Sequence, residues 1–131
     1  MRYTTLRKIL STTHQLYLID TSTDLQKHHR VINSLAFRYK IGPLLTSINH
    51  HIKTSIVHEI YDFIWIDKGI LIKPSTIEFL KSRSKLLLHY TPDPAFLYNK
   101  SAFFRKSVPS FDYCITTKSY ELNHYENQHA R

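Results

Sequence analysis

The order DFIWIDKG (62–69), PSTIEFLKS (74–82), KLLLHY (85–90) is that of strand, helix, strand. Each outer segment is a short apolar run of strand length closed by polar residues, while the middle one opens on Pro74. It also spells Ser75-x-x-Glu78, the form of a capping box, in which Ser75 caps a backbone N–H and Glu78 reaches back. Downstream, Thr91-Pro92-Asp93-Pro94 stops the second run, because two prolines forbid regular structure. Residues 99–107 (NKSAFFRKS) then suit a short helix, 111–116 (FDYCIT) a strand, and 118–126 a helix. Upstream, Leu44, Leu45, Ile48, Ile52, Ile56 and Ile60 recur at steps of mostly three or four after Gly42-Pro43, which predicts a helix with proline in its first turn. Before that, 14–20 (HQLYLID) reads as a buried strand, and Leu6, Ile9 and Leu10 place a short helix in the first ten residues.

The resulting order is αβαβαβαβα. Near-continuous apolar strands separated by helices of about ten residues belong to parallel sheets covered on both faces. The expected fold is therefore α/β: a single Rossmann-like three-layer domain over 1–131, with a parallel sheet of about four strands. Such domains normally open with a strand. This one opens with a helix and stops just after another begins, so it reads as clipped at both ends.

Composition narrows the function classes. With 131 residues there is room for one domain, and 42% apolar residues suffice for a core. Two Gly leave no glycine-rich phosphate loop of the GxGxxG or GxxxxGK[ST] type. One cysteine, Cys114, excludes an internal disulfide framework and a cysteine-based zinc site, which suits a reducing compartment. No apolar run approaches the ~18 residues of a membrane span, and the N-terminus MRYTTLRKIL is too polar for a signal peptide. A soluble, cytoplasmic protein is expected.

In open α/β sheets ligands bind beyond the carboxyl ends of the strands. Asp20-Thr21-Ser22, Asp67-Lys68-Gly69, His89-Tyr90-Thr91-Pro92-Asp93 and Thr116-Thr117-Lys118-Ser119 follow the expected strands. Polar residues end strands in any α/β protein, but four such loops, two carrying a lysine, point to one functional edge. Asp93, held between prolines, is the leading candidate for an acid/base or acceptor-binding carboxylate; a turn or helix-capping role is the plain alternative. Lys68 and Lys118 could meet phosphate or carboxylate as point charges, or simply be solvated. His89 could carry a proton or be a hydrogen-bonded core residue. Trp65 and the other strand aromatics read as core, and Cys114 as an inert buried thiol.

From Tyr61 to Tyr125, the segments IWIDKGILIKPSTIEFLK, LLLHYTPDPA, NKSAFF and SFDYCITTKSYELNHY resemble the N-terminal domain of glycosyltransferases related to the spore-maturation protein CgeB, which are two-domain GT-B enzymes. The matching positions are Asp67, Lys68 and Gly69; Pro74; His89, Tyr90, Pro92, Asp93 and Pro94; and Thr117, Lys118, Glu121 and Tyr125. The resemblance covers about half the chain directly, and more weakly Leu6 to Asp20. It implies an acceptor-side domain, with Asp93 and His89 as catalytic candidates and Lys68, Gly69, Tyr90, Thr117, Lys118 and Glu121 near the ligand. It also implies that the nucleotide-sugar donor binds a second domain. The chain alone is then expected to be inactive, to need no cofactor of its own, and to depend on a complementing chain or to self-associate through an unpaired sheet edge.

Nine histidines and a net charge of +8 invite two other readings. His28-His29, His50-His51 and His58 lack chelating spacing, since adjacent helix residues point about 100° apart and His51 and His58 stand two turns apart. No metal is expected. Lys27, Arg30, Arg38 and Lys40, and Lys100, Arg105 and Lys106 beside Phe103 and Phe104, could attract phosphate, making a stand-alone basic module for nucleic acid or a protein partner the alternative. The charges are scattered and carry no helix-turn-helix or RNP-type pattern, which argues against nucleic acid.

Overall fold

A computed structural model describes residues 2–97 and 101–129, without the side chains of Arg2 and Tyr3. The helices are α1 (Arg2–Leu10), α2 (Ser22–Gln26), α3 (Arg30–Tyr39), α4 (Pro43–Ser55), α5 (Pro74–Ser82), α6 (Ala102–Ser107) and α7 (Leu122–Glu126). The strands are β1 (Tyr61–Asp67), β2 (Ser84–Thr91) and β3 (Tyr113–Thr116), joined in the order β1-β2-β3. Both pairings are parallel: Ile66 lies beside His89, Asp67 beside Tyr90, and Tyr90 beside Ile115. The protein is thus α/β, with an open parallel sheet and helices on both sides.

The crossover from β1 through α5 to β2 follows the expected boundaries closely, because each strand must be returned to the same end of the sheet by a helix. Side chains alternate along β2. Leu87, His89 and Thr91 are buried on the face toward α5 and α6, while Leu86, Leu88 and Tyr90 are half-buried on the other. Leu44, Leu45, Ile48 and Ile52 of α4 join Ile77 and Leu80 of α5, Ile66 and Leu87 of the sheet, and Phe96, Phe104, Phe111 and Tyr125 in the core.

Several expectations are corrected. Among the described residues the sheet has three strands, not about four, because 14–20 makes no ladder. That segment is held to β1 by its rings instead: His14 meets Phe63 at 6.3 Å and Tyr17 meets Tyr61 at 5.9 Å, while the Tyr17 hydroxyl bonds His58 Nε2 at 2.8 Å. An apolar run becomes a strand only if a neighbour's backbone lies alongside. The capping box is not formed. Lys73 is the N-cap and makes no side-chain cap hydrogen bond, Pro74 is the first helical residue, and Ser75 already lies inside the helix. The helix after Gly42 stops at Ser55 rather than continuing to Ile60. Ile56 is extended, and the Tyr61 hydroxyl accepts from the N–H groups of Val57 and His58. Helices α2 and α3 were not expected. The 99–107 helix is confined to Ala102–Ser107, capped by Ser101, whose hydroxyl accepts from Phe104 N; residues 98–100 lie outside the described residues.

Candidate functional site at the carboxyl edge of the sheet

Lys68 and Gly69 leave β1 in consecutive left-handed conformations, φ +67° and +64°. Glycine is needed at the second position: an added Cβ would approach Ile66 Cγ2 to 2.7 Å, in a backbone region that L residues disfavour. The turn is tied to β2 on both sides of Lys68. Its N–H donates to the Tyr90 carbonyl at 2.8 Å, and its own carbonyl accepts from His89 Nε2 at 2.9 Å. Asn49 of α4 fixes the far end of the loop, donating to the Leu71 carbonyl at 3.0 Å and accepting from Lys73 N at 2.8 Å.

With its backbone fixed, the Lys68 ammonium reaches the Asp93 carboxylate at 2.5 Å. Asp93 is set by the turn after β2, where its N–H donates to Thr91 Oγ1 and its carbonyl accepts from the same hydroxyl. Both charged groups are about half exposed, so the pair contributes little to stability and stays open to exchange with a ligand. Beside it, the Trp65 and Tyr90 rings lie 5.5 Å apart, tilted by 33°. Lys68, Gly69, Tyr90 and Asp93 line a groove of about 1620 Å³, whose apolar lining includes Phe63, Trp65, Leu86 and Leu88, and to which α1 and residues 13–19 also contribute.

The remaining sequence candidates sit elsewhere. His89 is 1% exposed, between Phe104 and Phe111, and burial pushes its pKa down to about 4. It is therefore a neutral ring near neutral pH, protonated on Nε2 because the Lys68 carbonyl can only accept. Its contact with the site passes through the Lys68 backbone. Thr117 donates to the Pro92 carbonyl at 3.2 Å, and Lys118 N donates to Thr116 Oγ1 at 3.0 Å, so β3 braces the β2 loop from outside the groove. Glu121, expected near the ligand, is fully buried. Its carboxylate accepts from the N–H groups of Ala95, Phe96 and Leu97 at 2.7, 3.0 and 3.1 Å, and so anchors the turn that follows Asp93.

Sequence reasoning assigned Trp65 to the core and gave no role to Asn49. The signal for Asn49 was an amide among the apolar positions of the Leu44–Ile52 face, where a buried polar group needs partners. Of the histidines, His51 bonds Asp24 at 2.6 Å, His58 bonds Tyr17, and His124 stacks on Phe96. No group of three potential metal ligands occurs among the described residues. Burial raises the Cys114 thiol to about 12, which keeps it protonated. Compared with known proteins, the chain matches no family model, no curated protein and no solved structure.

Proposed function

We propose that the carboxyl-edge groove is the acceptor site of a Rossmann-like sugar-transfer domain of the CgeB-related kind. The nucleotide-sugar donor would be held by a second domain or a complementing chain, so residues 1–131 alone are expected to transfer no sugar. One observation carries the reading: Lys68, Gly69, Tyr90 and Asp93 line a single groove together with the Trp65–Tyr90 ring pair. A carboxylate and an ammonium at 2.5 Å can exchange their mutual bond for bonds to sugar hydroxyls, and an aromatic surface accepts the apolar face of a sugar ring. The apolar lining suits an acceptor with an aliphatic portion.

Trp65 is the sole tryptophan, so its fluorescence reports on this groove. Titration with octyl glucoside below its micelle concentration is expected to give a saturable change, weakened about tenfold by Asp93→Asn or Lys68→Gln. No response of Trp65, or an equal response to octanoate that both variants leave intact, would reject the acceptor reading. Quenching by an oligonucleotide that depends on Arg105 and Lys106 rather than Lys68 and Asp93 would favour the basic binding module.

A further inference from the structure

Residues 25–58 contain five Lys or Arg and no Asp or Glu, and α3 lies in their midst. One face of α3 is spoken for: Ala36 is fully buried, and Asn33 donates to the Leu25 carbonyl at 2.8 Å, fastening the helix to the end of α2. Val31, Leu35 and Tyr39, at steps of four, form a stripe along the opposite face, 60%, 46% and 56% exposed. Ile41, 62% exposed, continues it past the helix end. Arg38 shares this face, its guanidinium 5.5 Å from the Tyr39 ring, and Arg30 and Lys40 stand at the two ends of the helix. Val31, Leu35 and Tyr39 are exposed and stand apart from the lining of the carboxyl-edge groove.

We propose that this face of α3 rests on an anionic lipid bilayer, with Val31, Leu35, Tyr39 and Ile41 entering the interface and Arg30, Arg38 and Lys40 at the headgroups. Charge complementarity is the reason to choose an anionic surface: four apolar side chains are set among cations without a single carboxylate between Asp24 and Glu59. The exposure of these side chains among flanking cations is the reason to choose a bilayer over a protein. A fluid interface closes around protruding side chains, whereas a folded partner would have to bring a matching groove. Tyrosine beside arginine suits the interfacial depth, where the ring is buried and the hydroxyl and guanidinium stay wet. The inference does not depend on what fills the carboxyl-edge groove.

Co-sedimentation of the full chain with vesicles tests it. Binding is expected to vesicles of equal parts phosphatidylcholine and phosphatidylglycerol, and not to phosphatidylcholine alone. Leu35→Ser with Tyr39→Ser should lower the partition about tenfold, and Arg38→Gln about fivefold, while Arg38→Lys should keep it. These side chains are exposed, and an unchanged far-ultraviolet circular dichroism spectrum confirms that each variant folds. Lys85→Gln and Arg105→Gln, away from α3, should bind like the parent. Three results would overturn the proposal: no sedimentation with anionic vesicles, undiminished binding by the serine double variant, or binding lost equally in Arg105→Gln. The second and third would reduce the surface to general positive charge. Capture of polyglutamate without vesicle binding would assign the face to an acidic polypeptide instead.

Discussion

At the residue scale, His89 shows how one side chain can matter to a site without touching it. Its Nε2–H fixes the Lys68 carbonyl, and its ring fills space between Phe104 and Phe111. Burial holds its pKa near 4, against 6.5 for an unhindered histidine. Protons therefore bind the unfolded chain more readily than the folded one. The stability that depends on a neutral His89 is complete above pH 6.5 and drains as pH falls toward 4, by at most roughly 3 kcal/mol. Thermal melts of the parent and of His89→Gln check this. The variant is expected to melt lower at neutral pH, yet to lose less on acidification to about pH 4.5. Parallel losses in both proteins would place the acid sensitivity elsewhere. Asp93 and Lys68 were legible as candidates because a proline-flanked acid and a post-strand lysine stand out in any sequence. Their pairing was not, since 25 positions of chain separate them and only the β1–β2 register brings them together.

At the scale of elements, strand–helix–strand over 61–91 was legible because its boundaries are set locally, by proline, by polar closure and by apolar runs. What holds the β1–α5 loop was not. The capping pair Ser75 and Glu78 has the right spacing, but Pro74 already begins the helix, and the loop is secured by Asn49 from α4. Asn49→Ala is expected to cost about 2 kcal/mol or more, because it leaves a buried carbonyl and a backbone N–H without partners. Ser75→Ala should cost under about 0.5 kcal/mol, as for a surface substitution with no cap to lose. Urea unfolding of the two variants separates these accounts, and a reversed order of costs would restore the capping box. The same distinction explains 14–20. Its composition is that of a strand, but edge-to-face ring contacts with Tyr61 and Phe63 give it no ladder.

For the whole molecule, the three-stranded parallel sheet leaves β1 and β3 each with one strand neighbour among the described residues. On β3, Tyr113 and Ile115 are also exposed, which makes this edge adhesive. Sedimentation velocity is expected to show concentration-dependent self-association that Ile115→Lys relieves; a strict monomer at all concentrations would mean that the edges are adequately shielded. The sequence by itself determined the α/β class, the three strands from Tyr61 onward, the helices between them, and the edge at which polar residues gather. Each of these follows from local periodicity and from where prolines and polar residues interrupt it. Only the tertiary structure decided that 14–20 stays out of the sheet and that Glu121 faces inward to hold the turn after Asp93. It also decided that His89 serves the Lys68 backbone, and that one face of α3 is left uncovered. Those outcomes depend on which distant group arrives to accept a hydrogen bond or cover an apolar side chain, and spacing along the chain does not encode that arrival.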